Sequence, residues 1–394
     1  MSERKFAMEP SSFNGNAGKV EFNKNGEPTF TPNDAPQELQ LNKMLLALNS
    51  KADRFVGELR GMFANLDSAD LFVNSFIARE AKLSSELEGT HTKLSEVFKA
   101  EAKLTKPTME ITEVRNAINS FNYGLHNRDK PINEILKTMH QLLFQKIPSA
   151  GTRGDFRREQ NFIGPTTRIE DAWYVPPAVE ALPRLMDSFE AYYQKEATEV
   201  FDEAQELPPL IKAAIIHYQF ETIHPFSDGN GRLGRFLIPL FLLKNNTITK
   251  PVFFISEFFR DKKQNYKDIL LETSKTGNFD RWVQFFLAGV IEQTRNTIDQ
   301  ANKLNALREK YKNELIRMGA DARIIKMVDR LFRNPYITIP EVADDFSITY
   351  PTAKSDISRL QTIGALKQVS DAKTHKIFCA TEIFEVIIRN KKDE

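Results

Sequence analysis

His224-Pro-Phe-Ser-Asp228-Gly229-Asn230-Gly231-Arg232-Leu233-Gly234-Arg235 says more about architecture and chemistry than any other stretch of this chain. An imidazole stands four residues ahead of a carboxylate, two glycines bracket an asparagine, and two arginines follow three residues apart. The imidazole can take a proton near neutral pH. Asp228 is a hard oxygen ligand suited to Mg²⁺. Gly229 and Gly231 let main-chain N–H groups approach phosphate oxygens where a helix begins and its dipole favours an anion. Arg232 and Arg235 offer forked donors for phosphate or carboxylate. The pattern G-x-x-x-x-G-K-[ST] is absent, so this is not a P-loop. Leu233 to Leu243 is apolar nearly all round and predicts a central buried helix.

The chain has 394 residues, room for two or three domains of ~100–200 residues each. Its 41% hydrophobic and 27% charged residues are ordinary for a soluble globular protein. Against 53 Asp+Glu stand 54 Lys+Arg, a net charge of +1, so nothing global attracts nucleic acid or an anionic membrane. The single cysteine, Cys379, excludes an internal disulfide and supplies no metal cluster. The first residues lack an apolar signal region, and no run approaches the ~20 apolar residues of a membrane span. A cytoplasmic location with no membrane partner is the expectation.

Residues 1–36 are rich in Gly, Asn, Pro and Ser and read as an arm with few apolar residues to pack. Helical periodicity takes over from Glu38. Residues 37–125 form an N-terminal helical region, with a helix over about 71–89 whose N-cap is Asp67 or Ser68 and whose stop is Gly89. Further helices are expected at Thr112–Ser120, Ile132–Leu143 and Ile211–Ile223. Thr152–Pro177 is the one convincing hairpin in the first 300 residues. A core of 126–290 is followed by a polar helical connector over 291–318. Residues 319–394 read as a winged helix. Its helices are Ile324–Phe332, Ile339–Phe346 and a recognition helix at Pro351–Leu360, and its wing runs from Ala365 to Ala380 with Asp371–His375 at the tip.

The pattern H-x-F-x-D-G-N-G-R-x-x-R resembles the signature of the Fic family, whose usual activity is transfer of AMP from ATP to a protein hydroxyl. The resemblance reaches further. Ala214–Ile223 is similar to the helix leading into that family's active loop. Gly154-Asp-Phe-Arg157-Arg-Glu-Gln160-Asn161-Phe-Ile163-Gly164 is similar to the strand of its substrate-binding flap, and Tyr174-Val-Pro176-Pro177 to the exit. Ile255–Phe259, Tyr266 and Trp282–Leu287 look like its closing helices. Ser84-Ser-Glu-Leu-Glu88-Gly89 matches its inhibitory motif, [ST]-x-x-x-E-[GN]. About residues 35–290 are covered.

The resemblance implies a helical Fic core with one β-hairpin flap; with the C-terminal winged-helix domain read outside the covered part, the expected fold is mainly α. It implies His224 as general base and Asp228 as the residue holding Mg²⁺ on ATP. Gly229, Asn230, Gly231, Arg232, Leu233, Gly234 and Arg235 would cradle the phosphates, with Arg235 toward the γ-phosphate. Ile163, Gly164, Pro165 and Thr166 of the flap would line the nucleotide and the incoming target, and Asn265 and Tyr266 would neighbour the adenine. By its residue type alone, Tyr266 reads equally as core packing. His217, two turns before His224, reads as a packed residue rather than a base. Ser84, Glu88 and Gly89 would be inhibitory, Glu88 competing with nucleotide for Arg235. The protein substrate is unnamed by the sequence; self-modification is expected, and a homodimer and AMP removal stay open. The rival reading is a nucleotide-sensing DNA-binding regulator. Against it, the recognition helix carries only Lys354 and Arg359, with Asp356 between them. Protein docking or dimer formation is the favoured role for that domain.

Overall fold

The computed structural model describes residues 6–36, 39–66, 69–148, 152–195, 207–370 and 376–389. The described residues are mainly helical. In chain order the first helices are α1 (Lys43–Asn65), α2 (Ala69–Leu87), α3 (Leu94–Glu101), α4 (Met109–His126) and α5 (Ile132–Leu143). There follow α6 (Leu182–Gln194), α7 (Pro209–Ile223), α8 (Asn230–Lys244), α9 (Ser256–Asp261), α10 (Lys263–Thr276) and α11 (Asp280–Arg317). The last are α12 (Ala322–Arg333), α13 (Ile339–Asp345), α14 (Tyr350–Thr362) and α15 (Thr381–Ile388). The strands are β1 (Gly18–Phe22), β2 (Pro28–Pro32), β3 (Tyr336–Thr338), β4 (Lys367–Gln368) and β5 (Ile377–Cys379). No helix among the described residues is long and apolar enough to cross a membrane.

The chain divides into two compact units. The first holds the described residues up to Glu58 with Asn116–Thr249 and Phe254–Gln293. Its centre is the pair α7 and α8, both buried nearly all round. Pro208 and Pro209 sit at the α7 start, where a missing N–H removes no helical bond. The indole of Trp282 donates to the Ala214 carbonyl at 2.9 Å and ties α11 to α7. Phe121 of α4 lies between Phe236 and Phe254, with ring centroids at 5.2 and 5.6 Å. The α5 bounds agree with the expectation residue for residue, because Ile132, Ile135, Leu136, Met139 and Leu143 form one buried stripe.

Two readings of this unit require correction. The arm is packed: Met8, Phe13, Ala17 and Phe30 are buried, and β1 pairs antiparallel with β2 in a hairpin the composition hid. Its turn is built on Asn23, whose Oδ1 accepts the N–H groups of Asn25 and Glu27, with Gly26 at φ 75°. Conversely, Thr152–Pro177 is held by one antiparallel bridge, Ile163 to Tyr174, and includes a single helical turn at Ile169–Asp171. The next hydrogen-bonded pairs would be residue 165 with 172 and 161 with 176. Pro165 and Pro176 have no N–H to give, so no ladder extends in either direction.

The second unit holds Leu59–Arg115, Lys250–Phe253 and the described residues from Thr294 onward. Phe72 of α2 packs on Phe332 of α12 at 5.4 Å, and Ser75 donates to the Phe332 carbonyl at 2.7 Å. The N-cap expected at Asp67 or Ser68, the periodicity start at Glu38 and the wing tip Asp371–His375 lie outside the described residues. The change in composition near residue 290 falls inside α11, whose helical hydrogen bonds continue through it, and the division between the two units falls in the same helix, after Gln293. Beyond it come α12, β3, α13, α14, β4 and β5, with strand order β3-β5-β4, and then α15, which the sequence reading did not include. Thr338 and Glu341 form a capping box at the start of α13. Asp356 is 3% exposed and pairs with Arg323 at 2.9 Å, so it is withdrawn from the solvent face of α14, which shows Lys354, Ser355, Ser358 and Arg359.

Candidate active site

The α7 helix ends at Ile223, and His224 takes a left-handed conformation, φ 50° and ψ 58°. A non-glycine residue held in a sparse backbone region of this kind stores roughly 1–3 kcal/mol and persists only when its surroundings impose it. Here they do. The His224 N–H donates to Phe220 O at 2.9 Å, and Arg157 Nε donates to His224 O at 3.0 Å. The ring lies with Nδ1 3.1 Å from Glu221 O. A carbonyl can only accept, so Nδ1 carries a proton, and in the neutral ring Nε2 is then the basic nitrogen, the tautomer a general base requires.

From His224 the chain turns into α8 through a loop closed by its own side chains. Asn230 accepts the Phe226 N–H at 2.9 Å and donates to Phe226 O at 2.8 Å. Asn161 donates to the same carbonyl at 2.9 Å. Both polar ends of Asn230 are thus taken up in shaping the loop. Gly229 stands at φ 77°, against the ring of Phe144, where a Cβ would crowd Cε2 at 2.9 Å. Gly234 serves packing rather than phosphate approach: any side chain there would overlap the Glu221 carboxylate. Gly231 and Leu233 lie in the first helical turn, Leu233 fully buried.

Asp228 is exposed, and its Oδ1 accepts the Gly229 N–H at 2.5 Å, which fixes the carboxylate at the α8 start. One exposed carboxylate fits Mg²⁺, an ion that keeps several waters and takes its other oxygens from a substrate's phosphates. No cluster of three or more metal-ligating side chains occurs among the described residues. Arg232 is 4% exposed, its guanidinium 5.1 Å from the Phe144 ring centroid. Among the described residues nothing hydrogen-bonds its buried Nε. A buried cationic donor without an acceptor is costly unless an anion completes it. Arg235 is 2% exposed.

The flap meets this loop through Arg157 and Asn161. Arg157 is 3% exposed, and its fork also donates to Pro177 O at 2.5 Å, while its own N–H reaches Pro225 O at 2.8 Å. Burial lowers its pKa to about 10, which still leaves it charged at neutral pH. Ile163 is the bridge residue, and Gly164 passes close to the Ala172 backbone, where a Cβ would sit 2.9 Å from Cα. Pro165 and Thr166 are exposed, and Thr166 donates to Asp171 at 2.7 Å. The sequence reading gave no role at the loop to Arg157, to Asn161 or to His140, whose ring stacks on Phe226 at 4.3 Å. The signal was only a buried-type spacing for His140 in α5 and, for the other two, membership of the flap segment.

His217 is fully buried. Its Nδ1 donates to Gly234 O at 2.9 Å, so Nε2 accepts from the Tyr266 hydroxyl at 2.8 Å. The Tyr266 ring stacks on Phe259 at 4.3 Å and is 6% exposed, which places it in the core; Asn265 beside it is exposed. Ser84, Glu88 and Gly89 belong to the second unit. Ser84 is buried within α2, and Glu88, the first residue beyond the helix end at Leu87, is exposed. Gly89 has φ 98°, the conformation that ends a helix.

Residues 131–242 match the model of the Fic/DOC family and residues 46–126 that of the Fic/DOC family N-terminal region. The resemblance to the Fic family carried by His224–Arg235 is thus found again, the first of these matches containing that stretch. A "Protein adenylyltransferase Fic" of Aedes aegypti is 29% identical over 192 residues, 48% of this chain and 33% of the relative. Its namesake in Nematostella vectensis is 28% identical over 202 residues, 49% of this chain and 43% of the relative. The matched stretch is thus less than half of either relative. A Fic family protein from Desulfovibrio desulfuricans G20 shares the fold, with TM-score 0.55 at 19% identity over 87% of this chain and 97% of that one.

Burial holds His217 at a pKa of about 3 and His140 at about 4, against an ordinary 6.5. Both stay neutral in the fold while the unfolded chain takes up their protons below about pH 6.5, so stability is full above that pH and falls as the pH drops toward 4. Thermal melts should show His217→Gln below wild type at pH 8, with the gap narrowing from pH 6.5 to 4. A gap independent of pH would remove His217 from the acid sensitivity.

Proposed function

We propose that this chain is a protein adenylyltransferase that transfers AMP from ATP to Ser, Thr or Tyr hydroxyls, its own included, and releases pyrophosphate. The observation that carries the reading is one loop holding an imidazole oriented through Nδ1 by the Glu221 carbonyl and, at the following helix N-terminus, an exposed carboxylate and a buried arginine whose Nε has no acceptor among the described residues. The names of the relatives support the same activity.

In the proposed step the acceptor oxygen attacks the α-phosphorus and its proton passes to His224 Nε2. The bond from that phosphorus to the bridging oxygen breaks, and pyrophosphate departs. Arg232, Arg235 and the N–H groups at the α8 start hold the phosphates, aided by the helix dipole. Asp228 would hold Mg²⁺, which when bound offsets charge on the phosphates. The flap strand would receive the acceptor segment by main-chain hydrogen bonds, which make little demand on its sequence. Purified protein given Mg·ATP should gain the mass of AMP on a hydroxyl-bearing peptide. His224→Ala should bind ATP as before and lose transfer by ~10²–10⁴-fold. Transfer near the wild-type rate by that variant would exclude His224 as base.

We also propose, from the Ser84–Gly89 motif, that Glu88 restrains the enzyme by competing with nucleotide for Arg235. The same carboxylate could serve AMP removal by orienting a water. Glu88→Gly should raise self-labelling by α-labelled ATP about 5–150-fold, the change a lost coupling of ~1–3 kcal/mol gives, and adding His224→Ala should abolish it. Equal labelling of wild type and Glu88→Gly would end the inhibitory reading and leave the transferase reading intact.

A second reading, duplex DNA binding by a C-terminal winged helix, is favoured by one observation. The inward turn of Asp356 leaves Lys354 and Arg359 without that acid on the solvent face of α14. Protein docking by residues 319–394 remains the preferred role, because two cations make a small phosphate footprint. If DNA is the partner, the full chain is retained on duplex DNA at low salt and Lys354→Glu with Arg359→Glu releases it. No retention of wild type rejects this reading.

A further inference from the structure

We infer that the N-terminal arm is the positioning element of the acceptor flap, with Met8, Phe13 and Phe30 as its positioning residues. The inference rests on the flap's proposed role as docking edge for the acceptor.

Inside the flap there is one bridge, between Ile163 and Tyr174, with side-chain bonds such as Gln160 to Pro176 O at 3.0 Å. Further support comes from the arm. Phe30 of β2 donates its N–H to Val175 O at 2.8 Å, and the Val175 N–H reaches Met8 Sδ at 3.3 Å. The Ala7 N–H donates to Glu170 O at 2.7 Å. Met8, Phe13, Ala17 and Phe30 form one apolar cluster with Ala172, Tyr174 and Val175 of the flap. Phe30 lies between the rings of Phe13 and Tyr174, at 5.2 and 6.0 Å. The β hairpin thereby meets the flap's return strand at Val175, and Phe162 of the facing strand also packs against this cluster, while the main-chain groups of Ile163 are taken by Tyr174 and Trp173.

The arm is anchored elsewhere as well. Gly15 N–H donates to Lys275 O at 3.0 Å where α10 ends, and a Cβ on Gly15 would overlap the Thr276 main chain. Asn33 O accepts from Gln219 of α7 at 2.8 Å. Tyr174, held by the arm on one face, donates its hydroxyl to Thr222 O at 2.7 Å, two residues before His224. Flap, arm and catalytic helix are thus one connected set. Misplacing an acceptor by about 1 Å can lower a reaction about 10²-fold without touching the reacting groups.

The test uses the full chain with Phe30→Ala and, at the opposite end of the arm, Gly15→Val. Both should speed hydrogen exchange at the amides of Ile163, Trp173 and Tyr174 while amides of α7 and α8 stay protected. Both should lower AMP transfer at saturating Mg·ATP by about tenfold or more, leave the KM for Mg·ATP unchanged, and be opposed by recovery in Phe30→Leu. Unchanged flap exchange in both variants overturns the proposal. Faster exchange with undiminished transfer also overturns it, since the arm would then be structural only. A wild-type chain that transfers no AMP refutes the transferase reading itself, and flap exchange alone then decides whether the arm braces the flap.

Discussion

The left-handed turn at His224 is the constraint on which the rest of the first unit depends. Two almost wholly buried helices, α7 and α8, must be joined by a short loop, and the imidazole sits at the residue where the first of them stops. A β-carbon in that conformation is strained, so the fold supplies compensation from several directions: the Phe220 carbonyl, the Arg157 fork, and the Asn230 clasp on Phe226. The reward of the turn is chemical. Its geometry presents Nδ1 to Glu221 O, and that one contact decides which nitrogen can accept a proton.

Within the signature, polar residues divide into those that build the loop and those that face outward from it. Asn230 and Gly234 are builders, one by its paired hydrogen bonds and the other by the near approach of α7 to α8. Asp228 and Arg232 stand apart because their environment leaves them incomplete: an exposed carboxylate at a helix start, and a guanidinium with a buried, unmatched Nε. His217 shows the opposite case. With both ring nitrogens engaged and burial holding it neutral, it is a strut between α7, α8 and α10.

Much of this was legible in the chain before any coordinates. The α5 stripe and the buried run of α8 follow from period and composition, and the signature located the loop. What stayed hidden had physical causes. The arm's hairpin is held by a few separated aromatics and a Met rather than an alternating strand pattern, so composition read it as unpacked. Pro165 and Pro176 stopped the flap ladder on both sides of the bridge, an effect visible only once the register is known. Tyr266 could be ring packing or ligand contact until His217 was seen beneath its hydroxyl. The unbroken α11 passes through a real change in composition, because a helix keeps its hydrogen bonds when its faces change from covered to wet.

Arg157 has one further consequence, for the order in which the chain assembles. Its guanidinium joins carbonyls of Pro177 and His224, and its N–H reaches Pro225, so contacts at one residue close loops of about twenty and about seventy residues at once. Closures of that span form late relative to local helices, since their entropy must be met before any contact returns it. The helices α7 and α8 can form by local bonds, but the turn at His224 receives its outside support only after the flap segment docks. Chains caught midway through folding would therefore hold α7 and α8 formed on either side of the signature loop and still lack a set imidazole.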